Sequence, residues 1–379
     1  MKPLVALACV VRCAVWTGVL GACDFPRPAD VAGDSGAHDG GKDGRGDAAT
    51  LDAATSTDAA PPLPFLSCFG LPATCGTTGN DSCCKSLPVP GGSYYRSYDV
   101  APDSTFKDTS APATVSDFRL DKYLVTVGRF RTFVNAGMGT QLTAPPQGAG
   151  AHVKIAGSGW DVDWDTSLAV NTAALMEAVK CDPSNQTWTD VPAGNEHRPL
   201  NCVMWYEAMA FCAWDGGYLP TNAEWNYAAA GGDEQRAYPW SSPASSISLD
   251  RSQATYDCTI DEAPACMFGL TAVGTRPAGD GRWGQSDLVG NVFEWMLDWN
   301  TPYETPCTDC AALTSPYADG STRQFRGGSF NSAVHYLRIG ERSAYTLRCA
   351  PLRTGFVVRE HREDTNPQHL LGETIRLPA

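Results

Sequence analysis

The chain has 379 residues and a formal net charge of −14, with 42 acidic against 28 basic residues. This acidic balance gives no electrostatic support for a nucleic acid or an anionic membrane surface as partner, and nucleic-acid binding is excluded. The length has room for two or three domains. All ten tryptophans beyond residue 22 fall between Trp160 and Trp299, however, which favours one large domain.

The N-terminus has the pattern of an export signal. Lys2 precedes an apolar stretch whose run over residues 13–20 is too short to span a bilayer and which ends in Leu-Gly-Ala-Cys at Cys23. This pattern predicts a lipoprotein signal peptide, residues 1–22, and diacylglyceration of Cys23 as the new N-terminus. An ordinary signal peptide cut nearby is the alternative. Both interpretations export the chain, and the first anchors it to a bacterial membrane, in the periplasm or at the cell surface.

Changes in composition divide the rest of the chain. The stretch after Cys23 is built of Ala, Asp, Gly, Ser and Thr, cannot bury a core and is typical of an extended, self-repelling tether. A short segment dense in cysteine follows, with too few apolar residues to fold unless disulfides staple it. The predicted boundaries are 23–63 for the tether, 64–88 for the Cys-rich cap, 89–362 for the main domain and 363–379 for a C-terminal tail.

The cysteine count predicts disulfides. Without Cys9, Cys13 and Cys23, twelve of the fifteen cysteines remain, an even number that fits an oxidising compartment. The adjacent pair at 83–84 and the Cys-x-x-Cys at 307–310 are also compatible with metal ligation. A zinc site, however, usually needs two such pairs or a Cys/His set, and the six histidines show no ligand spacing.

Three helices can be predicted from local patterns. Thr126 is placed to cap a helix with Val127, Phe130 and Val134 on one face. A second helix, over about residues 203–214, would place Cys202 and Cys212 roughly 15 Å apart, so each is predicted to pair with another cysteine. A capping box at Thr221–Glu224 starts a further helix.

Seven short motifs follow one another between about residues 86 and 360. They are Val89–Gly92, Phe118–Thr126, Val203–Ala230, Pro239–Trp240, Leu288–Trp299, Phe325–Phe330 and Arg348–Arg359. In sequence and in order they resemble the formylglycine-generating enzyme (sulfatase-modifying factor) family. The resemblance implies a single α+β domain related to the C-type-lectin fold, with little regular secondary structure and bound calcium.

The segment 287–294 predicts a calcium-binding loop. Two carboxylates seven residues apart bracket a glycine turn, whose carbonyl oxygens can converge on one hard cation. The alternative is a surface turn in which Glu294 makes an ordinary ion pair. The family resemblance implies that the ion is held by Asp287, Gly290, Val292 and Glu294; Asp287 stands where the enzymes usually have Asn. A second calcium site cannot be placed, because residues 255–268 align poorly.

The catalytic positions depart from the family pattern. The enzymes that oxidise a sulfatase cysteine to formylglycine hold copper between two thiolates, and this chain has Ser332 and Leu337 at those positions. Neither side chain offers the soft anionic ligand that Cu(I) needs, so copper is not expected. Cys349 lies too far along the chain to substitute.

The predicted function is therefore a non-catalytic, calcium-stabilised binding or scaffold module, with an extracytoplasmic peptide, protein or glycan as partner. The alternative is a formylglycine-generating or divergent oxidase acting on a cysteine of a sulfatase-type partner. Four aromatic residues are candidates for lining a ligand cleft, although core packing is the commoner use of aromatic residues: Trp160, Trp164, Tyr303 and Tyr317. Four arginines are predicted to form buried ion pairs: Arg326, Arg338, Arg342 and Arg359. His197, His335 and His361 are isolated, and we expect a monomer.

Overall fold

The computed structural model describes residues 65–181, 183, 185–257, 269–315, 322–346, 354–355 and 359–360. These residues belong to one compact unit, Pro61–Ala379. The predictions for the signal peptide, Cys23, the tether and the C-terminal tail lie outside the described residues, as do those for Cys258, Cys266, Tyr317, Cys349 and His361. Within the described ranges, no helix has the length and apolar character needed to cross a membrane.

The strands form three small sheets. Their bounds are β1 Ser86–Val89, β2 Gly92–Tyr95, β3 Pro112–Val115, β4 Phe118–Asp121, β5 Gly217–Tyr218, β6 Phe293–Trp299, β7 Thr322–Arg326, β8 Ser343–Thr346, β9 Thr354–Gly355 and β10 Arg359–Glu360. One sheet has the order β1-β4-β10-β5, a second pairs β2 with β3, and the third has the order β8-β7-β6-β9. All pairs are antiparallel except β6 with β9.

In the described ranges, four α-helices accompany these sheets: α1 Val127–Asn135, α2 Thr172–Ala178, α3 Trp205–Trp214 and α4 Asn222–Ala229. Short 3-10 turns occur at Leu66–Cys68, Gln141–Thr143, Val162–Ser167, Gly232–Glu234, Pro277–Gly279 and Val334–Leu337. The remainder of the described chain is loop. The fold is thus α+β with modest regular secondary structure, as predicted.

Local capping explains where two of the helices begin. The Thr126 side chain accepts a hydrogen bond from the Arg129 amide and starts α1. At α4 the Thr221 hydroxyl accepts from the Glu224 amide while the Glu224 carboxylate accepts from the Thr221 amide, which is the predicted capping box. Both helix starts were predicted from the sequence.

The main core lies around α1 and α3. Phe130 and Phe133 of α1 meet Phe211 of α3 with ring centroids 5.8 and 5.5 Å apart. The indole N–H of Trp205 donates to the carbonyl of Met296, which joins α3 to β6. Since α3 buries seven of its ten residues, the helix sits inside the domain, and its burial holds β6 in place.

The Cys-rich cap is stapled by two disulfides and anchored to the core. The pairs are Cys68–Cys84 and Cys75–Cys83. Ser67 is fully buried; its amide and hydroxyl donate to the Asp215 carboxylate at 2.6 and 2.8 Å. Arg129 pairs with Asp215 and with Asp121. The cap is therefore joined to α1 and to the end of α3 through one buried charged network.

For the other described cysteines, the predicted disulfide pairing is confirmed in some cases and wrong in one. Cys307 and Cys310 form a disulfide, as favoured over metal ligation. Cys202 pairs with Cys181, so it does find a partner other than Cys212. Cys212, in contrast, is a buried free thiol, and the prediction that it pairs elsewhere is wrong. It lies in the second half of α3 within the packed core, where burial raises the pKa of its thiol well above the ordinary value.

Candidate functional site

The predicted calcium loop lies directly before and at the start of β6. Asp287, Gly290 and Asn291 all have positive φ angles of 58°, 83° and 58°, which coils the backbone tightly. A Cβ atom at Gly290 would come within 2.5 Å of the Thr255 carbonyl oxygen, so only glycine fits there. The Gly290 amide donates to the Gly327 carbonyl at 2.8 Å. The loop is thereby held against the turn that follows β7.

Glu294 is the most unusual residue of this loop. It is 1% exposed, and neither carboxylate oxygen has a hydrogen-bond partner among the described residues. Burial raises the pKa of Glu294 well above its ordinary value; the nearby Trp225 indole opposes this rise and the Asp287 charge adds to it. The Trp225 N–H does not reach hydrogen-bond geometry with it. An ion pair of Glu294, the alternative considered from the sequence, is absent from the described part of the chain.

Asp287 adds a second carboxylate near Glu294. Burial of its carboxyl group raises the pKa of Asp287 to about 6, although the residue as a whole keeps some exposed surface. One of its oxygens accepts a hydrogen bond from the Gly274 amide at 2.6 Å. The Asp287 charge raises the pKa of Glu294, whereas burial and the Asp280 charge raise the pKa of Asp287. Two such carboxylates, one of them without a partner among the described residues, have the chemistry of a site for a hard cation.

The two positions that correspond to copper ligands lie beyond the turn after β7. This turn needs glycine, because Gly327 and Gly328 have φ of 91° and 72°. The Ser332 hydroxyl accepts a hydrogen bond from the Ser329 amide at 2.9 Å and lies 3.1 Å from the Ser329 hydroxyl. Leu337 is fully buried in an apolar cluster with Ala101, Ala237, Tyr238 and Val289. Both side chains therefore have structural roles.

The candidate cleft aromatics do not form one site. Trp160 is fully buried in the main core, and Trp164 packs against that core with partial exposure. The Tyr303 hydroxyl accepts from Arg326 at 2.7 Å, and its ring lies against the guanidinium groups of Arg96 and Arg342. Core and network packing thus account for three of these aromatics, and Tyr317 lies outside the described residues.

The four arginines predicted to form buried ion pairs agree with this prediction only in part. Arg338 pairs with Asp103 at 2.9 Å and with Asp99 at 3.5 Å, as predicted. Arg326 is buried but binds carbonyl, hydroxyl and amide oxygens, and no ion pair of Arg326 or Arg342 occurs among the described residues. At Arg326 neutral acceptors take the place of carboxylates, and the Arg342 guanidinium lies 4.3 Å from the centroid of the Tyr303 ring, so the described residues do not bear out the predicted ion pairs of these two arginines. The side chain of Arg359 lies outside the described residues.

Two buried polar groups have no counterpart in the sequence analysis. The Lys154 amide donates to His152 Nδ1 at 3.0 Å, so His152 Nε2 carries the proton and donates to Glu224 at 2.9 Å. Arg323 of β7 is 1% exposed and lies between two tryptophan rings. No local pattern reveals either, because their partners are distant in sequence. The described residues contain no cluster of three or more His, Cys, Asp or Glu side chains suited to a metal.

Comparisons with known proteins define the class. Residues 73–361 match the sulfatase-modifying factor enzyme 1-like domain family. The formylglycine-generating enzyme of Thermomonospora curvata is 27% identical over 295 residues, 71% of this chain and 91% of that protein. The inactive C-alpha-formylglycine-generating enzyme 2 of Mus musculus is 29% identical over 287 residues, 71% of this chain and 83% of that protein. The structure of PvdO from Pseudomonas aeruginosa is 18% identical with a TM-score of 0.47, over 73% of this chain and 94% of that one.

The family match spans well over half of the chain and includes most of the Cys-rich cap. The chain therefore belongs to the sulfatase-modifying factor family, whose members include formylglycine-generating enzymes. This confirms the family predicted from the seven motifs, together with its α+β fold. The relatives include proteins named as inactive, so membership by itself does not assign the oxidase activity to this chain.

Proposed function

We propose that this protein is a non-catalytic member of the sulfatase-modifying factor family, a calcium-stabilised binding or scaffold module displayed outside the cytoplasm. The observation that carries this proposal is the structural use of the two copper-ligand positions. Leu337 is part of an apolar cluster, and the Ser332 hydroxyl is hydrogen-bonded inside the turn. Copper(I) prefers thiolate ligands, and these two side chains provide none.

Calcium is proposed as a structural ion of the module. Glu294 and Asp287 would contribute carboxylate oxygens, and Gly290 and Val292 would contribute backbone oxygens. Support comes from the orphaned carboxylate of Glu294 and from the positive-φ turn beside it. An ion there would neutralise two adjacent buried carboxylates and fix β6 against the turn after β7.

The location is proposed from the N-terminal sequence. Cys23 would carry the lipid, and the acidic stretch 24–62 would hold the domain clear of the membrane surface. The disulfides of the described residues support export, because such bonds persist in oxidising compartments. The cleft that corresponds to the active site of the family's enzymes would then face extracytoplasmic peptides, proteins or glycans. The protein would be a monomer.

Copper loading tests the central proposal. The purified protein is loaded with Cu(I), and copper stoichiometry is measured together with aldehyde formation on a Cys-x-Pro-x-Arg peptide. We expect neither copper retention nor aldehyde, and a Ser332→Cys/Leu337→Cys double variant that gains copper. Stoichiometric copper and aldehyde in the unmodified protein would overturn the proposal in favour of an oxidase acting on a sulfatase-type partner.

Lipid labelling tests the location. Cells expressing the full chain are grown with a labelled fatty acid, and a Cys23→Ser variant serves as the control. The label is expected on the unmodified protein and is expected to disappear in the variant. Equal labelling of both proteins, or of neither, would contradict a lipid anchor at Cys23.

A further inference from the structure

Arg323 of β7 is a buried cation without a carboxylate partner. It is 1% exposed, its Nη1 donates to the Leu297 carbonyl, and its Nε has no hydrogen-bond partner. Its guanidinium carbon lies 3.7 Å from the ring centroids of both Trp205 and Trp299. No ion pair of Arg323 occurs within the described residues. Cation–π contacts offset part of the cost of burying this charge, but they do not satisfy its N–H donors.

The surrounding charges leave Arg323 cationic at neutral pH. Burial lowers its pKa to about 9, while Tyr206 and Asp298 act in the opposite direction. Asp298 accepts hydrogen bonds from the amides of Asn222 and Ala312 at 2.7 and 2.9 Å and forms no ion pair with Arg323. The described residues therefore provide no direct counter-ion for this positive charge.

A small cavity connects this guanidinium with the surface. Its volume is about 120 Å³, and its lining includes Arg323, Trp164 and Leu313 together with the loop residues Gln147, Gly157 and Asp161. Gln147 and Gly157 are exposed, whereas Arg323 is buried, so the cavity runs from an open rim to a cationic floor. A buried donor without a partner among the described residues, on a side chain that lines an accessible cavity, is the arrangement expected of a recognition site.

We propose that this cavity binds one carboxylate group, supplied by an acidic side chain of a peptide or protein partner. The charge favours an anion, and the planar guanidinium matches a carboxylate. The volume of the cavity indicates which kind of molecule supplies the carboxylate. It corresponds to about four water molecules at roughly 30 Å³ each, which suits an aspartate- or glutamate-sized group. Sites for whole small molecules start at about 300 Å³, so a uronic acid ring is too large.

Asp161 also lines the cavity, and its negative charge allows the electrostatic part of the proposal to be tested. Its carboxylate accepts a hydrogen bond from the Asp163 amide at 3.1 Å and caps the following 3-10 turn. An anion in this cavity is repelled by the negative charge of Asp161. Asp161→Asn keeps the capping oxygen and removes the charge, so it should tighten binding of the anion by a few-fold.

The experiment titrates the purified full chain with propionate and, as the neutral match, propionamide. Tryptophan fluorescence serves as the readout because Trp164, Trp205 and Trp299 surround the guanidinium, and calorimetry checks the affinity. We expect saturable binding of propionate only, tighter binding by Asp161→Asn, and a loss of about tenfold or more in affinity in Arg323→Met. This test is independent of copper and calcium loading.

A second variant keeps the proposal decidable if Arg323→Met does not fold. Leu313→Phe adds bulk to the cavity wall and leaves the guanidinium in place; it should also abolish propionate binding. Equal responses to propionate and propionamide, or none to either, would mean that the cavity holds only water and would overturn the proposal. Tighter binding of glucuronate than of propionate would overturn the assignment to an acidic peptide side chain.

Discussion

Single side chains decide the chemistry of this member of the family. Ser332 and Leu337 occupy the positions of two thiolates, and each has a structural role in the turn or in an apolar cluster. Glu294, at the start of β6, keeps two buried oxygens without partners in the described structure. Under the proposed function, packing takes the place of copper ligation at these two positions, and Glu294 with Asp287 offers oxygen ligands to a hard cation.

Calcium removal provides the first prediction at this scale. If an ion neutralises Glu294 and Asp287, a chelator should lower the unfolding temperature of the unmodified protein. The loss should be about 2–3 kcal/mol in the free energy of unfolding when calcium had been at about 100 times its Kd. Glu294→Gln should abolish this response, and without calcium it should exceed the unmodified protein in stability, because the buried carboxyl group no longer has to be protonated or carry a charge.

The control for this experiment is Glu304→Gln, since Glu304 is exposed. Differential scanning calorimetry with and without chelator measures all three proteins. An unchanged chelator response in Glu294→Gln would place the ion elsewhere or exclude it.

Glu207 predicts a pH dependence of stability. It is fully buried in the first turn of α3; one oxygen accepts from the Met204 amide at 2.9 Å and the other has no partner among the described residues. Burial raises the pKa of Glu207 from 4.5 to about 7. The folded protein therefore binds more protons than the unfolded chain between pH 4.5 and 7, and its stability falls as pH rises through this window.

The size of this loss is at most about 3 kcal/mol, at about 1.4 kcal/mol for each unit of pKa shift. Glu207→Gln retains an acceptor for Met204 and cannot ionise, so its stability relative to the unmodified protein should increase between pH 5 and 8. Urea unfolding at several pH values measures this difference. A Glu177→Gln variant, altered at a side chain that is 73% exposed, should show no such trend.

At the scale of elements, local signals explain the helices better than the strands. Thr126 and Thr221 cap α1 and α4 as predicted, because capping involves only residues three positions apart. Several strands are two to five residues long, and β5, β9 and β10 have two residues each. Such short strands carry little periodic signal, and only their pairing partners elsewhere in the chain define them.

Substitution of Thr221 tests the capping box. Thr221→Val keeps the shape of this fully buried side chain and leaves the Glu224 amide without its side-chain acceptor. The free energy of unfolding should fall by about 1–2 kcal/mol. The free energy of unfolding should fall by less in Thr221→Ser, which retains the hydroxyl. Chemical denaturation of both variants measures the difference. Equal stability of the Val variant and the unmodified protein would contradict a role for this cap.

At the scale of the whole molecule, one buried charged network joins distant parts of the chain. Ser67 and Asp215 are 148 residues apart in sequence and in direct hydrogen-bond contact. Arg129 connects both to Asp121 at the end of β4. The cap is thus part of the folded domain, in agreement with a family match that begins within it.

Asp215→Asn should destabilise the domain by about 3 kcal/mol, because it removes one carboxylate from a fully buried guanidinium. Asp190→Asn removes the carboxylate of a surface pair with Lys180 and should change stability by less than about 1 kcal/mol. Denaturant unfolding of both variants gives the comparison. Similar small losses in both would show that the buried network adds little to stability.

The sequence by itself determined the family, the α+β class, two helix caps and most of the disulfide chemistry. These features depend on local spacing and on residue identity, which short motifs preserve. It also identified the calcium loop as a candidate and the loss of both copper ligands. That loss follows from the residues Ser332 and Leu337, which are identified by their spacing from Gly327 and Gly328.

Only the tertiary structure decided which groups are buried without partners. The free thiol of Cys212, the neutral partners of Arg326 and the cavity at Arg323 depend on contacts between segments far apart in the chain. Burial and pairing are properties of the packed molecule, and desolvation changes the behaviour of a charge whose residue type stays the same. Burial also decided between the two interpretations of Glu294. The sequence alone allowed a surface ion pair, but in the structure this carboxylate is buried and has no partner among the described residues.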